Sequence, residues 1–489
     1  MIVVIGLIGM MYKYEISYVA VLTLFSIFFL LILLKPELSV YMFLICGVFY
    51  TPLYDYKFRL FGILILPTDL MAILIYFSVF VNRVFGRFKR FSFSHTSKPK
   101  SIGNSFHIVI IALIFLATVI GLFQGNYWKS VFRETKMVLY YGLIPVFVSF
   151  FISDRRVIFR YFALLIVLST IGSLYDMYCR IFDIYTVSAY AGGIEGAITY
   201  ADTPIGSIIR DYGWVSTFHY QVIAFLVCIA FFFVFKNFSV RITLLIIALI
   251  NLIANMLTVT RGFMLGIIVG MILLIFLNSL RRSTFLFKRV ASSFAVLILI
   301  IGIFYLSMFF VPEVSAAFYR FASVFSSEYA GRGDIENMNV RLSSIYLGIN
   351  TGLNHPLGRG FGILSPTGEE TFSEAMTLWL IYHNSIGYIF FTFGLIGGFV
   401  VFYLLAKLTL ELLKIYRIIS IQDKQALSLI LVSLFAVFSM SFTSGNFLFN
   451  IDLLFPFIIT LFSFSIFYIK LLGGSNVKGT ISHNSNSFI

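Results

Sequence analysis

The sequence predicts an all-α, polytopic integral membrane protein with about 12–14 transmembrane helices. Of its 489 residues, 60% are hydrophobic and only 11% are charged, and the mean hydropathy is +0.99. A soluble chain of this length has too little interior to bury so much apolar surface. The apolar residues also occur in runs close to the roughly 17–25 residues that a helix needs to cross a bilayer.

The apolar runs of approximately spanning length number about thirteen, and polar segments separate them. The runs cover residues 16–34, 38–53, 61–83, 105–125, 137–153, 160–178, 217–236, 239–257, 262–280, 290–311, 384–407, 426–443 and 449–470. The sequence shows no internal repeat and no soluble domain that could be separated from them. Residues 1–489 therefore form a single predicted membrane domain.

Basic residues mark one side of this predicted topology. They are concentrated in the loops 83–104, 281–289 and 407–424, and they also mark two short turns, one at Arg155 and Arg156 and one at Lys236 and Arg241. By the positive-inside rule this side is cytoplasmic, and the polar tail 471–489 lies on it as well. The same rule accounts for the net charge of +14, so the charge does not indicate nucleic acid binding.

Two long segments lie on the opposite, extracytoplasmic side: a first loop over residues 179–216 and a main loop over residues 312–383. A loop as long as the second is usually functional or disordered. Its part 312–327 has the apolar spacing of an amphipathic helix that lies on a membrane surface. Asn339 is predicted to cap a second helix over residues 340–353.

The predicted helix 340–353 combines an arginine with small residues. Arg341 lies in its first turn, and Ser344 and Gly348 follow on the same face. These small side chains would leave room for a ligand to approach the arginine. An apolar stripe lies on the same helix and consists of Leu342, Tyr346, Ile349 and Leu353.

Three basic side chains map to predicted helix N-termini on the extracytoplasmic side: Arg261, Arg341 and His383. The exposed N–H groups of such helix ends bind anions, so the combination suits a phosphate-bearing substrate. The helix dipole favours a neutral His383, which is able to accept a proton. The alternatives are a snorkelling Arg261, a solvated Arg341 in the loop and a His383 that is simply interfacial.

Two further observations concern charge at this side. Arg210 precedes the helix that begins at residue 217, and its alternative role is an ion pair with Asp211. The sequence contains no DxD, HxxxH or HExxH motif, so it does not indicate a metal site. Arginines are able to stabilise phosphate charge in place of a divalent cation.

Roughly the second half of the chain resembles the O-antigen polymerase and O-antigen ligase superfamily of bacterial envelope glycan assembly. The resemblance depends on the order and spacing of several short motifs around the main loop. These motifs are TRG at 260–262, NVR at 339–341, NHPLGRGFG at 354–362, HN at 383–384 and GLIG at 394–397.

The resemblance implies a membrane-embedded glycosyltransferase of the GT-C type that needs neither a metal nor another cofactor. Its donor and acceptor would be glycans carried on undecaprenyl pyrophosphate, at the periplasmic or outer face of the bacterial inner membrane. Arg261 and Arg341 would bind pyrophosphate, and His383 would orient or deprotonate the acceptor hydroxyl. Glu369, Glu370 and Glu374 are rival candidates for the base.

Four more residues are candidates for substrate binding: Arg210, Arg359, Tyr346 and Asn384. Arg210 would serve the second pyrophosphate that polymerisation requires. Tyr346 would replace an aromatic residue, commonly tryptophan, that the family has shortly after its loop arginine. The expected partners are the lipid-linked glycans, membrane lipid and a chain-length regulator protein, with no nucleic acid.

The resemblance leaves two alternatives to a polysaccharide polymerase. The first is a ligase of the same superfamily. The second, from another class, is a flippase that transports lipid-linked oligosaccharides. A flippase is expected to carry charged residues in the middle of its helices, facing a central cavity. In this sequence the predicted helices are nearly free of charge, and polar residues collect in the long outer loop, which favours the enzyme.

Overall fold

The computed structural model describes residues 38–49, 58–60, 63–65, 102–126, 155–182, 200–203, 206–209, 217–258, 261–280, 332–362, 384–443 and 455–473, with single residues or short pieces within 27–31, 73–81, 128–136, 298–309 and 314–319. The helices are α1 (Leu38–Val48), α2 (Ile102–Phe123), α3 (Arg155–Ile181), α4 (Thr217–Phe232), α5 (Phe238–Leu257), α6 (Arg261–Ser279), α7 (Arg332–Asn354), α8 (Ser385–Ile418), α9 (Ile421–Thr443) and α10 (Phe455–Gly473). The strands are β1 (Phe58–Leu60), β2 (Ile63–Ile65), β3 (Tyr200–Thr203) and β4 (Gly206–Ile209).

The predicted all-α membrane class is confirmed. Nine of the predicted apolar runs coincide with α1–α6 and α8–α10, with shifted boundaries. Within those parts, the helices α3, α5, α6, α8 and α9 are long and apolar enough to cross a membrane. The predicted runs 16–34, 61–83, 137–153 and 290–311 lie mostly or entirely outside the described residues, so the total of about 12–14 helices stays a prediction.

Two small antiparallel hairpins accompany the helices. β1 pairs with β2, with Leu60 opposite Ile63, and β3 pairs with β4. The predicted helix 61–83 is therefore wrong at its start. A two-residue connection that contains Gly62 suits a tight hairpin, and Pro67 disfavours a helix through this point.

Polar contacts identify the helix ends that share one side of the bundle. Arg155 at the start of α3 lies 3.5 Å from a carboxylate oxygen of Asp423 at the start of α9. Arg241 near the start of α5 donates through Nε to the carbonyl oxygen of Phe232 at the end of α4, at 3.1 Å. The structure thus brings together helix ends that the charge pattern assigned to one side. Its assignment to the cytoplasm stays a prediction.

Helix α4 lies at the centre of the bundle. It packs against α3, α5, α6 and α9, and its residues from Phe218 to Phe231 are buried on every side. An apolar helix without a polar face is stable only in such surroundings. Around it, aromatic rings interlock the outer helices, as where Tyr161 of α3 meets Phe464 of α10 edge to face with ring centroids 5.3 Å apart.

Candidate functional site

The first residue of α6 is Arg261, which agrees with the predicted helix start. The side chain of Arg261 lies outside the described residues. In the first turn, the ring of Phe263 meets the ring of His219 on α4 edge to face, with centroids 4.9 Å apart. The first N–H groups of a helix have no partners within it, so this end of α6 is suited to an anion.

Helices α3 and α5 are joined by buried polar side chains on the same side as the start of α6. Asn251 is fully buried, and its Oδ1 accepts from Ser169 Oγ at 2.7 Å and from Ser173 Oγ at 3.1 Å. Its Nδ2 donates to Thr170 Oγ1 at 3.0 Å. Four residues on, Asn255 Nδ2 donates to a carbonyl oxygen at the start of α4. In a membrane, an apolar helix surface contacts lipid about as favourably as it contacts another helix, so hydrogen bonds of this kind hold helices together.

A buried carboxylate belongs to the same layer. Gln221 of α4 donates through Nε2 to Asp176 Oδ2 of α3 at 2.7 Å, and both residues are buried. This pair was not predicted from the sequence, because the run 160–178 is apolar on average. A single aspartate inside an apolar run is itself a signal, since ionisable residues in membranes are costly and usually functional.

Replacing Asp176 by leucine is expected to lower the free energy of unfolding by about 1–3 kcal/mol, because the buried amide of Gln221 loses this acceptor. Asp176→Asn is the matched control, since its amide oxygen is still able to accept the hydrogen bond. Thermal unfolding of the purified variants in detergent measures the difference. Equal melting temperatures for the two variants would contradict a structural contribution from this hydrogen bond.

The loop helix α7 begins at Arg332, which makes the predicted cap at Asn339 wrong. Its first turns contain Asp334 and Glu336, and acidic residues there are favoured by the helix dipole. Arg341 lies nine residues after the start. The prediction that Arg341 stands at a helix N-terminus, where the exposed N–H groups would help to bind an anion, is therefore also wrong. Of the amphipathic helix predicted over 312–327, short helical pieces at 314–316 and 318–319 are described.

Helix α7 packs along the first part of α8 through small residues. Ser344, Gly348 and Gly352 are buried, and a Cβ on Gly348 would overlap the carbonyl oxygen of Gly387. The space that the sequence assigned to a ligand is therefore filled by α8. A Cβ on Gly352 would lie 3.1 Å from the backbone nitrogen of Leu395, further along α8. The two helices thus run side by side in the same direction.

This packing places the turn of Arg341 near the start of α8. Arg341 precedes Ser344 by three residues, which is one helical turn, and Ser344 packs on the first turn of α8. Asn384 caps α8: its Oδ1 accepts from the backbone N–H of Ile386 at 2.8 Å and of Gly387 at 3.4 Å. The predicted start of α8 is confirmed to within one residue.

Helix α8 is interrupted at Gly394, whose φ of 70° is in the left-handed region. The segment 355–362, here called the glycine turn, fills the interruption. Arg359 N–H donates to Phe391 O at 3.0 Å, and Ile396 N–H donates to Pro356 O at 3.2 Å. The turn therefore satisfies backbone groups that the break releases from the helix ladder.

The other side of the glycine turn is held by α2 and by a buried acid. Phe361 N–H donates to Ala117 O at 3.0 Å, and Asn126 Nδ2 donates to Phe361 O at 2.8 Å. Glu134 Oε2 accepts from Gly362 N–H at 3.0 Å and from the hydroxyl of Tyr388 at 3.3 Å. The backbone around residue 359 is thus fixed between α2 and α8.

The predicted site residues that the structure describes fall into three groups. Arg341, Asn384 and Arg359 belong to the α7–α8 unit, in which Asn384 is buried and the side chain of Arg359 is exposed. Tyr346 is 73% exposed, on the side of α7 away from α8. Arg261 lies on α6, and α9 packs against both α6 and α8. Five predicted residues lie outside the described residues: Arg210, His383, Glu369, Glu370 and Glu374.

Residues 244–402 match the family model described as O-antigen ligase. The match begins in α5 and ends in α8, so it contains the start of α6, all of α7, the glycine turn and the break at Gly394. No curated protein matches the chain.

Proposed function

We propose that the chain is a polysaccharide polymerase, because residues 244–402 match the family model described as O-antigen ligase and the motifs around the main loop resemble the O-antigen polymerase and ligase superfamily. It joins oligosaccharide repeat units carried on undecaprenyl pyrophosphate, on the extracytoplasmic face of the bacterial inner membrane. The observation that supports this proposal most is the α7–α8 unit. It holds the turn of Arg341 beside the capped start of α8, and His383 is bonded directly to the cap residue Asn384.

The reaction requires a substitution at an anomeric carbon. A hydroxyl of the acceptor glycan attacks the first sugar of the donor, and a new glycosidic C–O bond forms. The C–O bond to pyrophosphate breaks, and undecaprenyl pyrophosphate leaves with the electron pair. His383 takes the proton of the attacking hydroxyl or orients that hydroxyl for attack.

The leaving group carries the charge that develops in this step. Arg261 and Arg341 bind the pyrophosphate and stabilise the departing oxygen through charge-assisted, bidentate hydrogen bonds. Arg359, whose backbone is fixed by α2 and α8, offers a third cation, and Arg210 contacts the second pyrophosphate. The reaction needs no metal ion in this scheme, because arginines neutralise the phosphates.

Reconstitution tests the proposal directly. Purified protein in liposomes with a defined lipid-pyrophosphate repeat unit is expected to yield a ladder of products, with and without a chelator. His383→Ala is expected to lose the ladder, because no group accepts or orients the acceptor hydroxyl. Loss of the ladder on chelation would contradict metal independence, and a wild-type ladder from His383→Ala would contradict the role of the histidine.

The same system distinguishes a polymerase from a ligase. The ligase is the second candidate, because the matched family is described as O-antigen ligase. A ligase transfers one lipid-linked chain to a lipid A core, whereas a polymerase lengthens the lipid-linked chain. Offering both acceptors together shows which product forms. Movement of the lipid-linked repeat across the liposome membrane without any new glycosidic bond would favour the flippase.

A further inference from the structure

Helix α7 has a second face that the α7–α8 packing leaves exposed. The apolar stripe of Leu342, Tyr346, Ile349 and Leu353 recurs at spacings of four, three and four residues and therefore lies along one side of the helix. The side chains of Leu342, Tyr346 and Leu353 are 58%, 73% and 57% exposed. Beside the stripe runs a line of exposed polar residues, Asn339, Ser343 and Asn350.

The apolar stripe continues onto the outer surface of a membrane-spanning helix. Leu357, in the glycine turn, is half exposed, and the carbonyl oxygen of its neighbour Pro356 accepts from the N–H of Ile396 on α8. From that point the exposed surface of α8 is again large and apolar, at Ile396, Phe399 and Tyr403. Exposed apolar side chains therefore occur in turn along α7, in the glycine turn and on α8.

The environment of α8 identifies what covers this surface. α8 has the length and composition of a transmembrane helix, so its exposed apolar side chains face lipid. The close α7–α8 contact through Ser344, Gly348 and Gly352 is the packing that helices use inside membranes, where small residues allow backbones to approach. In water, so much exposed apolar surface would be unfavourable.

We propose that the apolar stripe of α7 lies in the hydrocarbon of the bilayer, against lipid acyl chains, on the side of the membrane where α8 begins. The polar line of Asn339, Ser343 and Asn350, on the adjacent side of the helix, then faces water. The loop helix is thus seated in the membrane and is not a water-covered lid. This arrangement holds the turn of Arg341 at the level where the pyrophosphate of a lipid-linked substrate emerges.

Site-directed spin labelling tests the proposal without any assay of activity. Cys46, Cys179 and Cys228 are first replaced by alanine, and single cysteines then carry nitroxides in reconstituted protein. The stripe positions are Leu342→Cys, Tyr346→Cys and Leu353→Cys, and the matched controls on the same helix are Asn339→Cys, Ser343→Cys and Asn350→Cys. Collisions with oxygen are expected to exceed those with a water-soluble nickel complex about threefold at the stripe, with the order reversed at the controls.

Each other outcome overturns the proposal. Nickel accessibility as high at the stripe as at the controls would show that the stripe faces water. Low accessibility to both reagents at the stripe would show that protein covers it, such as a second copy of this chain. Neither result depends on whether the protein polymerises glycans, so failure here is distinct from failure of the proposed function.

A second measurement avoids the cysteine background. Tyr346→Trp and Ser343→Trp are compared in liposomes made with brominated acyl chains, with the native tryptophans in place. The fluorescence added by Tyr346→Trp is expected to be quenched about twofold more than that added by Ser343→Trp. Equal quenching at the two positions would place the stripe outside the hydrocarbon.

Discussion

Alanine at Gly358 is expected to abolish product ladders and to lower the free energy of unfolding by about 3 kcal/mol or more. Gly358 has a φ of 84°, where a side chain is strained, and a Cβ there would overlap the carbonyl oxygen of Thr392. That carbonyl oxygen accepts the N–H of Gly360 at 3.1 Å, so the overlap breaks the joint between the glycine turn and α8. Thermal unfolding of the purified variant and the ladder assay measure the two effects.

Gly125→Ala is the matched control for this prediction. Gly125 also has a positive φ, 77°, but a Cβ there meets no heavy atom within 4 Å. Its replacement therefore adds backbone strain without steric overlap, and we expect a loss of about 1–2 kcal/mol with the ladder retained. Gly394→Ala is expected to resemble Gly358→Ala, because its Cβ would overlap the carbonyl oxygen of Pro356. Equal losses of stability and of the ladder in Gly125→Ala and Gly358→Ala would contradict the importance of the contact between the glycine turn and α8.

Loss of the guanidinium at Arg261 or Arg341 is expected to reduce the polymerisation rate about 10²–10³-fold. Each replacement removes charge-assisted hydrogen bonds to the departing pyrophosphate. Lysine at position 341 is expected to recover little of the rate, because an ammonium group does not reproduce the two parallel N–H donors with which a guanidinium binds a phosphate. Initial rates in liposomes with saturating lipid-linked substrate provide the measurement.

The arginine variants require a control for general effects of charge and folding. Arg417→Ala serves this purpose, because Arg417 is exposed near the opposite end of α8 from Arg341 and should leave the rate unchanged. Melting temperatures of all variants should stay close to wild type. A normal rate in Arg261→Ala and Arg341→Ala would remove both residues from the site, and a full rate in Arg341→Lys would exclude bidentate binding.

Local sequence patterns were sufficient for the helix starts near the site. The predicted starts of α6 and α8 are confirmed to within one residue, because a polar residue before a long apolar run marks each start in the sequence itself. The start of α7 was predicted eight residues too late, after a good capping residue at 339. Position 339 lies within the helix, and Asn339 is exposed there. Its preference for a capping position is weak, and the longer helix overrides it.

The face of α7 shows most clearly what a local pattern leaves open. An apolar stripe ordinarily predicts the buried side of a helix, yet Tyr346 is exposed and Gly348 is buried. The rule is derived for helices in water. Where the surroundings are themselves apolar, small residues pack inward and large apolar residues face outward. Periodicity finds the two faces but does not say which of them meets protein.

By itself the sequence determined the membrane class, the approximate spans, the starts of α6 and α8 and the resemblance to a family, because composition and local polar–apolar order carry these. Only the tertiary structure decided that the glycine turn closes the break at Gly394, that Glu134 holds that turn, and that Asp176 meets Gln221. These contacts join residues from 32 to 228 positions apart in the chain. No local pattern encodes such pairings, since they depend on how complete helices pack against one another.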